Sequence, residues 1–278
     1  IVTLQDISCV GRCSITVALP VISAMGVECG ILPTAVLATH TMFKTFTCKD
    51  LSDQIGPIAD AWKQENITFD AVYTGYLASA EQCSQVCSFF DRFYDGNNLI
   101  LVDPAMADNG SLYPAFDESF PAEMAKVCAK ADIILPNITE ACLLTGTPYK
   151  TSYDESYIHE LLKKLLALGC YTAALTGVSY EKGRLGVVSL DRNGDTFSYF
   201  TRHCPQSYHG TGDLYSSTVL GGLMRGLSLG NALSLAADFV VACIEATASA
   251  ENARWYAVEF ESQIPLLCEM LDQRLKNN

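Results

Sequence analysis

The sequence predicts an α/β protein in which helices cover both faces of a mostly parallel sheet. Short apolar strand-like segments alternate with helix-like segments over most of the chain, and polar residues follow directly where several of these strands end. This alternation is typical of parallel strands joined by crossover helices. The 278 residues contain no repeat, low-complexity stretch or linker, so we expect residues 1–278 to form a single domain.

The alternating elements follow one another in order along the first two thirds of the chain. Apolar segments predict strands at Ile1–Gln5, Ile31–Leu37, Ala71–Tyr73, Leu99–Val102, Ile133–Leu135 and Tyr171–Leu175. Apolar residues at helical spacing predict helices at Arg12–Gly26, Leu51–Gln64, Ala80–Tyr94, Pro121–Ala131, a short stretch from Thr139, and Asp154–Leu168.

The pattern changes to a hairpin and then to helices after residue 183. Segments Leu185–Leu190 and Thr196–Arg202 flank an Asn193-Gly194 turn, which predicts an antiparallel pair. Two helices rich in small and apolar residues are predicted next, at Leu214–Leu227 and Ala232–Ala248, joined at Gly230. Because both helices are apolar over much of their surface, we expect them to pack inside the domain.

Composition and charge exclude several classes of function. The formal net charge of −13 argues against nucleic acid and against an anionic membrane surface, although local N–H groups and Mg²⁺ could still hold a nucleotide. We expect no membrane span and no export signal, because apolar runs are broken and no basic segment precedes the first one. The 12 scattered cysteines form no zinc pattern and are expected to be reduced thiols in a cytoplasmic protein.

The most informative motif is Gly210-Thr211-Gly212-Asp213, which immediately precedes a predicted helix. The free N–H groups at a helix N-terminus, together with the helix dipole, form a site for an anion. An aspartate in such a site makes chemical sense if it accepts a proton while the N–H groups hold a phosphoryl group. The alternative is that Asp213 is an ordinary capping residue.

Polar residues after the predicted strands are expected to meet at one edge of the sheet, where open parallel sheets bind their ligands. The acidic members of this set would repel one another unless a divalent cation or a proton lay between them. They are Asp6, Asp103, Asp108, Glu140 and Asp213. Taken singly, each has a simpler interpretation: Asp103 could belong to a strand-to-loop turn, and Glu140 could offset a helix dipole.

An anion turn, a group of carboxylates and a candidate base together indicate phosphoryl transfer. The chain has no Gly-x-x-x-x-Gly-Lys-[Ser/Thr] loop, which excludes a P-loop enzyme. The segment Gly11-Arg12-Cys13-Ser14 follows the first strand but does not form a dinucleotide-binding Gly-x-Gly-x-x-Gly motif.

These motifs resemble the ribokinase-like superfamily over essentially the whole chain. Within it, the N-terminal half is similar to the vitamin kinases, the branch of pyridoxal kinase and hydroxymethylpyrimidine kinase. The motifs that carry the resemblance are Gly11–Ser14, Leu32–Leu37 with Thr39-His40-Thr41, Thr74-Gly75-Tyr76, Asp103–Gly110, Pro136–Ala141 and Gly210–Asp213. The resemblance implies a three-layer α/β/α sandwich and phosphorylation of a vitamin alcohol by Mg-ATP.

The resemblance also implies roles for individual residues. Asp213 would be the base, the N–H groups of Gly210, Thr211 and Gly212 would stabilise the transferring phosphoryl group, and Thr176 and Gly177 would contact ATP phosphates. Asn137 and Glu140 would position Mg²⁺ through water, with Asp103 or Asp108 assisting. In the substrate pocket, Asp6 and Ser8 would face polar ring edges, Tyr76 would lie against the ring face, and Thr39 and His40 would close the pocket.

By the same resemblance, the acceptor is the 5′-hydroxymethyl group of pyridoxal, pyridoxine or pyridoxamine, with hydroxymethylpyrimidine as the alternative. A binding protein without turnover remains a further alternative. The resemblance implies a homodimer and is compatible with a monovalent cation. The chain departs from the family pattern at Met42-Phe43, at Ala107 and at Tyr215-Ser216-Ser217. The first departure concerns the pocket flap and the second the placement of Asp108.

Overall fold

A computed structural model describes residues 1–277 and consists of a mixed sheet between two layers of helices. The strands, in chain order, are β1 (Val2–Val10), β2 (Gly30–Thr39), β3 (Cys48–Asp50), β4 (Ala71–Thr74), β5 (Leu99–Val102), β6 (Ala107–Asp108), β7 (Ser111–Leu112), β8 (Ile133–Ile134), β9 (Thr172–Val178), β10 (Arg184–Asp191) and β11 (Thr196–Arg202). The helices are α1 (Ile15–Ala24), α2 (Ser52–Gln64), α3 (Ala80–Phe93), α4 (Phe120–Cys128), α5 (Ile138–Thr145), α6 (Glu155–Leu168), α7 (Thr211–Met224), α8 (Leu229–Ser249) and α9 (Ile264–Lys276).

The central strands are parallel, as the sequence predicts. In the described part of the chain, nine strands form one sheet in the order β11-β10-β9-β8-β5-β4-β1-β2-β3. Neighbours from β9 through β2 pair in parallel, while β10, β11 and β3 add antiparallel strands at the two edges. The carboxyl ends of the parallel strands therefore lie along one edge of the sheet.

Alternation of side chains along the strands supplies a hydrophobic core on each face of the sheet. Val72 packs with helices α2–α6 on one face, whereas its neighbour Tyr73 packs with α1 and α7–α9 on the other. Ile100 and Leu101 of β5 divide between the two faces in the same way. This period of two places helices on both sides of a buried sheet and confirms the three-layer α/β/α arrangement.

Several elements extend beyond the predicted segments. Strand β1 runs to Val10, so Asp6 and Ser8 lie within the strand rather than after it. Strand β9 runs to Val178, so Thr176 and Gly177 lie within it. Both strands continue because a neighbouring strand supplies hydrogen bonds past the last apolar run, β2 for β1 and β10 for β9. The C-terminal helix α9, which was not predicted, packs against α8 and α1.

The boundary between the last apolar helices also differs from the prediction. Helix α7 begins at Thr211 and contains Asp213 in its first turn, and Gly230 lies inside α8 instead of joining two helices. The expectation that no apolar run reaches membrane-spanning length is wrong for α8, a 21-residue helix with a mean hydropathy of 1.5 over its most apolar window. In this fold α8 packs against α7 and β11, with side chains such as Leu233, Leu235 and Phe239 in the core.

Candidate active site

The Gly-Thr-Gly-Asp turn forms the start of α7, where the sequence places an anion site. Gly210 precedes the helix in the left-handed conformation, with φ of 86°. A Cβ atom at this position would lie 2.2 Å from the carbonyl oxygen of Arg12, so only glycine fits. The N–H groups of Thr211, Gly212 and Asp213 open the helix and have no partner within it. Asp213 is half-buried beside them.

Asp103 lies next to this turn at the end of β5. Its N–H donates to the carbonyl oxygen of Thr74 at 2.9 Å, and its Oδ2 accepts a hydrogen bond from the hydroxyl of Ser216 at 2.8 Å. The same oxygen is 3.9 Å from the position that a Cβ of Gly212 would take. The structure therefore brings Asp103 and Asp213, which are 110 residues apart in sequence, to the same end of α7.

Burial raises the pKa values of these carboxyl groups, and the charge of Asp103 adds to the rise for Asp213 and Glu140. Burial and then the charge of Asp103 raise the pKa of Asp213 to about 7, while a hydrogen bond from the Ser14 backbone opposes this rise. Burial raises the pKa of Asp103 to about 6 against the hydrogen bond from Ser216. Burial and the charge of Asp103 also raise the pKa of Glu140. A base whose pKa lies near neutrality is suited to accept a proton from an alcohol.

Asn137 and Glu140 form a capping box at the start of α5. Asn137 Oδ1 accepts the N–H of Glu140 at 2.9 Å, and Glu140 Oε2 accepts the N–H of Asn137 at 2.8 Å. The second oxygen of Glu140 accepts the N–H of Met106 at 3.1 Å, and Asn137 Nδ2 donates to the carbonyl oxygen of Ala107 at 2.8 Å. The pair therefore caps α5 and joins it to the segment after β5.

Asp108 is held by hydrogen bonds within its own turn. It is exposed in the β6–β7 hairpin, and its two oxygens accept the N–H and the side-chain amide of Asn109 at 2.8 and 2.9 Å. Within residues 1–277, no three His, Cys, Asp or Glu side chains lie close enough to hold a metal ion directly. The predicted set of Asp103, Asp108 and Glu140 is therefore not assembled as a direct ligand cluster, because local hydrogen bonds hold Asp108 in its turn.

Thr176 and Gly177 lie where β9 bulges against β10. Val187 pairs with Thr176 and Gly186 with Val178, which leaves Gly177 unpaired, exposed and in the left-handed conformation with φ of 74°. A Cβ at Gly177 would meet no atom within 4 Å, and Thr176 is held by its N–H and hydroxyl on the carbonyl oxygen of Pro136. The backbone at Gly177 therefore faces open space, next to Thr176, which pairs with Asn137.

The predicted substrate residues Asp6 and Ser8 are buried and bonded to each other. Asp6 Oδ2 accepts the hydroxyl of Ser8 at 2.9 Å, and its Oδ1 accepts the hydroxyl of Ser14 at 2.5 Å. Burial raises the pKa of Asp6 in spite of these two bonds. Ser14, which sequence reasoning did not assign, therefore links Asp6 to the turn that precedes α1.

His40 lies in an aromatic group at the mouth of the site. Its Nδ1 accepts the N–H of Met42 at 3.3 Å, so its Nε2–H donates to the carbonyl oxygen of Tyr256 at 2.9 Å and the ring is neutral. Burial lowers its pKa. The ring centroid is 4.2 Å from that of His209 and 4.9 Å from that of Phe43.

Phe43 extends this aromatic group to the C-terminal part of the chain. Its ring centroid lies 4.9 Å from that of Trp255 and 5.2 Å from that of Tyr256. Sequence reasoning treated His209 as an ordinary loop histidine and did not assign Trp255 or Tyr256, because no local spacing relates them to His40. Thr39 ends β2, and its hydroxyl donates to the carbonyl oxygen of Thr45 at 3.4 Å, within the same loop.

Tyr76 follows β4 and is half-buried, with its ring centroid 5.3 Å from that of Phe116. Burial and then the charge of Asp6 raise the pKa of its hydroxyl to about 12. The influence of that charge relates Tyr76 to the Asp6 end of the site. The site therefore has an acidic centre around Asp213, with aromatic side chains on the side of β1, β2 and β4.

Comparison with known proteins agrees with this architecture. The phosphomethylpyrimidine kinase family matches residues 15–256. A Bacteroides thetaiotaomicron protein assigned to the phosphomethylpyrimidine kinases has a crystal structure that superposes with a TM-score of 0.92, at 35% identity, covering 96% of this chain and 93% of its own. A second crystal form of that protein contains pyridoxal and superposes with a TM-score of 0.91, covering 96% of this chain and 94% of its own.

Of two further relatives, one is named for pyridoxal and the other for hydroxymethylpyrimidine. Pyridoxal kinase of Lactobacillus plantarum superposes with a TM-score of 0.89, at 31% identity, covering 98% of this chain and 97% of its own. Hydroxymethylpyrimidine/phosphomethylpyrimidine kinase of Bacillus subtilis is 28% identical over 220 residues, 77% of each chain. The resemblance inferred from the motifs is confirmed: with a family match over residues 15–256, the chain belongs to the phosphomethylpyrimidine kinase family and has the ribokinase-like fold.

Proposed function

We propose that the protein transfers the terminal phosphoryl group of Mg-ATP to the 5′-hydroxymethyl group of pyridoxal, pyridoxine or pyridoxamine. The observation that carries this proposal is Asp213, a carboxyl group in the first turn of α7 whose pKa is raised to about 7. A carboxylate among free N–H groups is of little use to a protein that only binds phosphate, whereas it serves a kinase as a base.

In the proposed reaction, Asp213 accepts the proton of the substrate alcohol as its oxygen bonds to phosphorus and the bond to the ADP oxygen breaks. The N–H groups of Gly210, Thr211 and Gly212 stabilise the charge on the transferring phosphoryl group. Thr176 and Gly177 contact the nucleotide phosphates from the bulge of β9. The proton and the phosphoryl group therefore move at the same end of α7, with ADP and the phosphorylated alcohol as products.

The residues around Asp103 are chemically suited to Mg²⁺. Asp103, Glu140 and Asp213 have raised pKa values because their charges are buried together, and a divalent cation would offset that repulsion. We propose that Asp103 and Glu140, with Asn137, would hold Mg²⁺ through water beside the ATP phosphates. The ion would neutralise phosphate charge during transfer. Asp108 would assist.

The aromatic side of the site supports a flat heterocyclic substrate. Tyr76 offers a half-buried ring, and Asp6 and Ser8 offer polar atoms close by. His40 and Thr39 would close the pocket together with Phe43. The pyridoxal-containing Bacteroides relative and the Lactobacillus pyridoxal kinase favour a pyridine over the pyrimidine, while the Bacillus relative keeps hydroxymethylpyrimidine as the second candidate.

A panel of alcohols tests this proposal. Purified protein would be incubated with Mg-ATP and with pyridoxal, pyridoxine, pyridoxamine, hydroxymethylpyrimidine or ribose, and ADP and phosphorylated product would be quantified. We expect the highest kcat/KM for a B6 vitamer and no turnover of ribose. A higher kcat/KM for hydroxymethylpyrimidine would replace the first candidate by the second, and ATP binding without any turnover would reject both.

We further propose a cytoplasmic homodimer whose activity is tested with and without K⁺. All twelve thiols lie in the described residues and are unpaired, which suits a reducing compartment. Light scattering after size exclusion would give the oligomeric state. The ratio of kcat/KM in K⁺ to that in an organic cation would reveal any monovalent cation requirement.

A further inference from the structure

The loop Gly11–Ser14, between β1 and α1, is held in an unfavourable backbone conformation. Arg12 and Ser14 have φ values of 51° and 50°, and only two other non-glycine residues in the described chain have positive φ. Such conformations are costly for residues with a Cβ and persist only where surrounding contacts impose them. The proposed function uses none of the three side chains in this loop.

The inner side of the loop contacts the proposed catalytic group. The carbonyl oxygen of Arg12 faces Gly210 so closely that no Cβ fits between them. The Ser14 backbone lies close enough to the Asp213 carboxyl to lower its pKa, and the Ser14 hydroxyl donates to Asp6 Oδ1 at 2.5 Å. Both unusual residues therefore touch a group at the site, Arg12 the anion turn and Ser14 the base.

The outer side of the loop is tied to the C-terminal part of the chain. Arg12 Nε donates to Glu261 Oε1 at 2.8 Å, and its Nη1 lies 3.4 Å from Glu259 Oε1. The Arg12 and Glu259 side chains are only 21% and 26% exposed, so their pair is shielded more than an ordinary surface ion pair, whereas Glu261 is 54% exposed. The sequence distance between Arg12 and Glu261 is 249 residues.

The segment that carries these two glutamates is itself anchored beside the anion turn. Val258 N–H donates to the carbonyl oxygen of His209, the residue before Gly210, at 3.2 Å. Glu259 N–H donates to the hydroxyl of Thr247 in α8 at 2.8 Å. Val258 and Phe260 are buried in the core. The same short segment therefore holds both the turn that carries Asp213 and the loop that contacts it.

We propose that Arg12 is a positioning residue for Asp213: its ion pairs with Glu259 and Glu261 hold Gly11–Ser14 in the conformation that orients the base. This inference rests on the proposed function, in which Asp213 is the base. It assigns a task to a motif that the sequence singled out and that substrate and nucleotide binding leave unused.

The test compares Arg12→Gln and Arg12→Lys with Arg274→Gln. Arg274 is a matched control, since it is also 21% exposed and pairs with Asp238 at 2.5 Å, away from the loop. We expect Arg12→Gln to lower kcat by about 10- to 100-fold, because small misplacement of a catalytic group has effects of this size. The KM for ATP should change much less than kcat, since the Arg12 side chain contacts neither Thr176 nor Gly177, the residues assigned to the nucleotide phosphates.

If Arg12 positions Asp213, a lysine at this position should restore part of kcat, and the effects of the Arg12 and Glu261 substitutions should not add. Arg12→Lys keeps the charge and should recover part of kcat, although it loses the fork geometry of arginine. Glu261→Gln should lower kcat in the same direction, and combining it with Arg12→Gln should add little. Arg274→Gln should lower the melting temperature without lowering kcat. Equal kcat losses in Arg12→Gln and Arg274→Gln would overturn the proposal.

Amide hydrogen exchange gives a readout that does not depend on activity. In Arg12→Gln, exchange should become faster in the peptides that contain Ser14 and Leu214, and it should not in Arg274→Gln. Unchanged exchange at both positions would overturn the positioning role even if the enzyme proved inactive on every alcohol. Faster exchange with an inactive wild-type protein would instead reject the proposed function alone.

Discussion

The hydroxyl of Ser216 donates a 2.8 Å hydrogen bond to Oδ2 of Asp103, and this bond joins the end of β5 to the first turns of α7. Ser216 follows Asp213 by three residues, so the two side chains share one face of the helix. The bond therefore holds the Asp103 carboxyl on the side of α7 that carries Asp213. Burial raises the pKa of both acids, and the charge of Asp103 raises that of Asp213 further.

This relationship predicts that Asp103→Asn stabilises the ligand-free protein at alkaline pH. The amide keeps an acceptor for Ser216 and removes a buried charge. The pKa of Asp103 is 3.8 in its ordinary state and is raised to about 6 in the folded protein. The free energy of unfolding of the wild type therefore falls as pH rises from the lower pKa to the higher one. The difference between the two pKa values corresponds to at most about 3 kcal/mol. The melting temperature of Asp103→Asn should therefore exceed that of wild type at pH 8, and much less so at pH 5.

Melting curves in EDTA, without nucleotide, would measure this effect. Asp272→Asn is the control, because Asp272 is an exposed acid in α9 and its removal should leave the pH dependence unaltered. Saturating Mg-ATP should reduce the difference in melting temperature between Asp103→Asn and the wild type if the carboxylate helps to bind the cation. A melting temperature of Asp103→Asn below that of wild type at pH 8 would show that the charge of Asp103 does not destabilise the folded protein.

A second prediction concerns the base itself. Asp213→Asn should lower kcat by about 10²–10⁴-fold, the usual range for removing a general base. The variant should stay folded, since it loses a buried charge and no capping hydrogen bond from its side chain. Rates of ADP formation and melting temperatures, measured on the same preparation, check both statements. Near-wild-type turnover in this variant would remove Asp213 from the mechanism.

The pH dependence of the wild-type enzyme is a third prediction. Because the pKa of Asp213 is raised to about 7, the base is protonated at low pH, and kcat/KM should rise with pH through that region. The charge of Asp103 contributes to this raised pKa, so Asp103→Asn should move the rising limb to lower pH. Profiles of kcat/KM between pH 5 and 9, at constant Mg-ATP, would measure the displacement. If kcat/KM rises over the same pH range in Asp103→Asn as in the wild type, the charge of Asp103 does not affect the pKa of Asp213.

The sequence predicts those parts of the site that depend on local chemistry. A Gly-Thr-Gly turn before an apolar helix fits the start of α7, since the left-handed Gly210 and the free N–H groups follow from residues next to one another. The parallel sheet follows in the same way from apolar segments separated by helices. The Asn-x-x-Glu spacing of Asn137 and Glu140 is also a capping-box pattern, and the structure shows both reciprocal bonds.

Contacts between distant segments could not be predicted from these patterns. No local spacing relates Ser216 to Asp103, or Arg12 to Glu261, because their approach depends on how β1, β5 and α7 pack. The predicted end of β1 at Gln5 was wrong for a related reason: the strand continues where β2 supplies hydrogen bonds, whatever the polarity of Asp6 and Ser8. The β6–β7 hairpin that follows β5 and carries Asp108 was not predicted either, because two-residue strands leave no periodic signal.

A fourth prediction concerns Phe43, where the chain departs from the family pattern. Phe43 lies 4.9 Å from His40 and 4.9 Å from Trp255 between ring centroids, so it joins the loop after β2 to the C-terminal segment. Phe43→Ala should raise the KM for the alcohol by about 10-fold, as expected for about 1–1.5 kcal/mol of lost aromatic contact. The KM for ATP should be unaffected. Phe46→Ala is the control, because Phe46 is 46% exposed nearby and makes none of these ring contacts. An equal increase of the KM for the alcohol in both variants would mean that the ring contacts of Phe43 do not contribute to substrate binding.

The last prediction separates backbone strain from steric conflict at the anion turn. Gly210 and Gly183 have nearly the same conformation, with φ of 86° and 85°, but a Cβ at Gly210 would lie 2.2 Å from the Arg12 carbonyl oxygen whereas one at Gly183 would meet nothing within 4 Å. Both alanine variants force the left-handed conformation on a residue with a Cβ, at a cost of about 1 kcal/mol. Only Gly210→Ala must also push the turn away from the loop at Arg12. We expect Gly183→Ala to lower the melting temperature slightly and keep kcat, and Gly210→Ala to lower kcat by at least about 100-fold, since displaced N–H groups no longer face the transferring phosphoryl group. Similar kcat values in the two variants would show that close contact between the turn and the loop does not matter for catalysis.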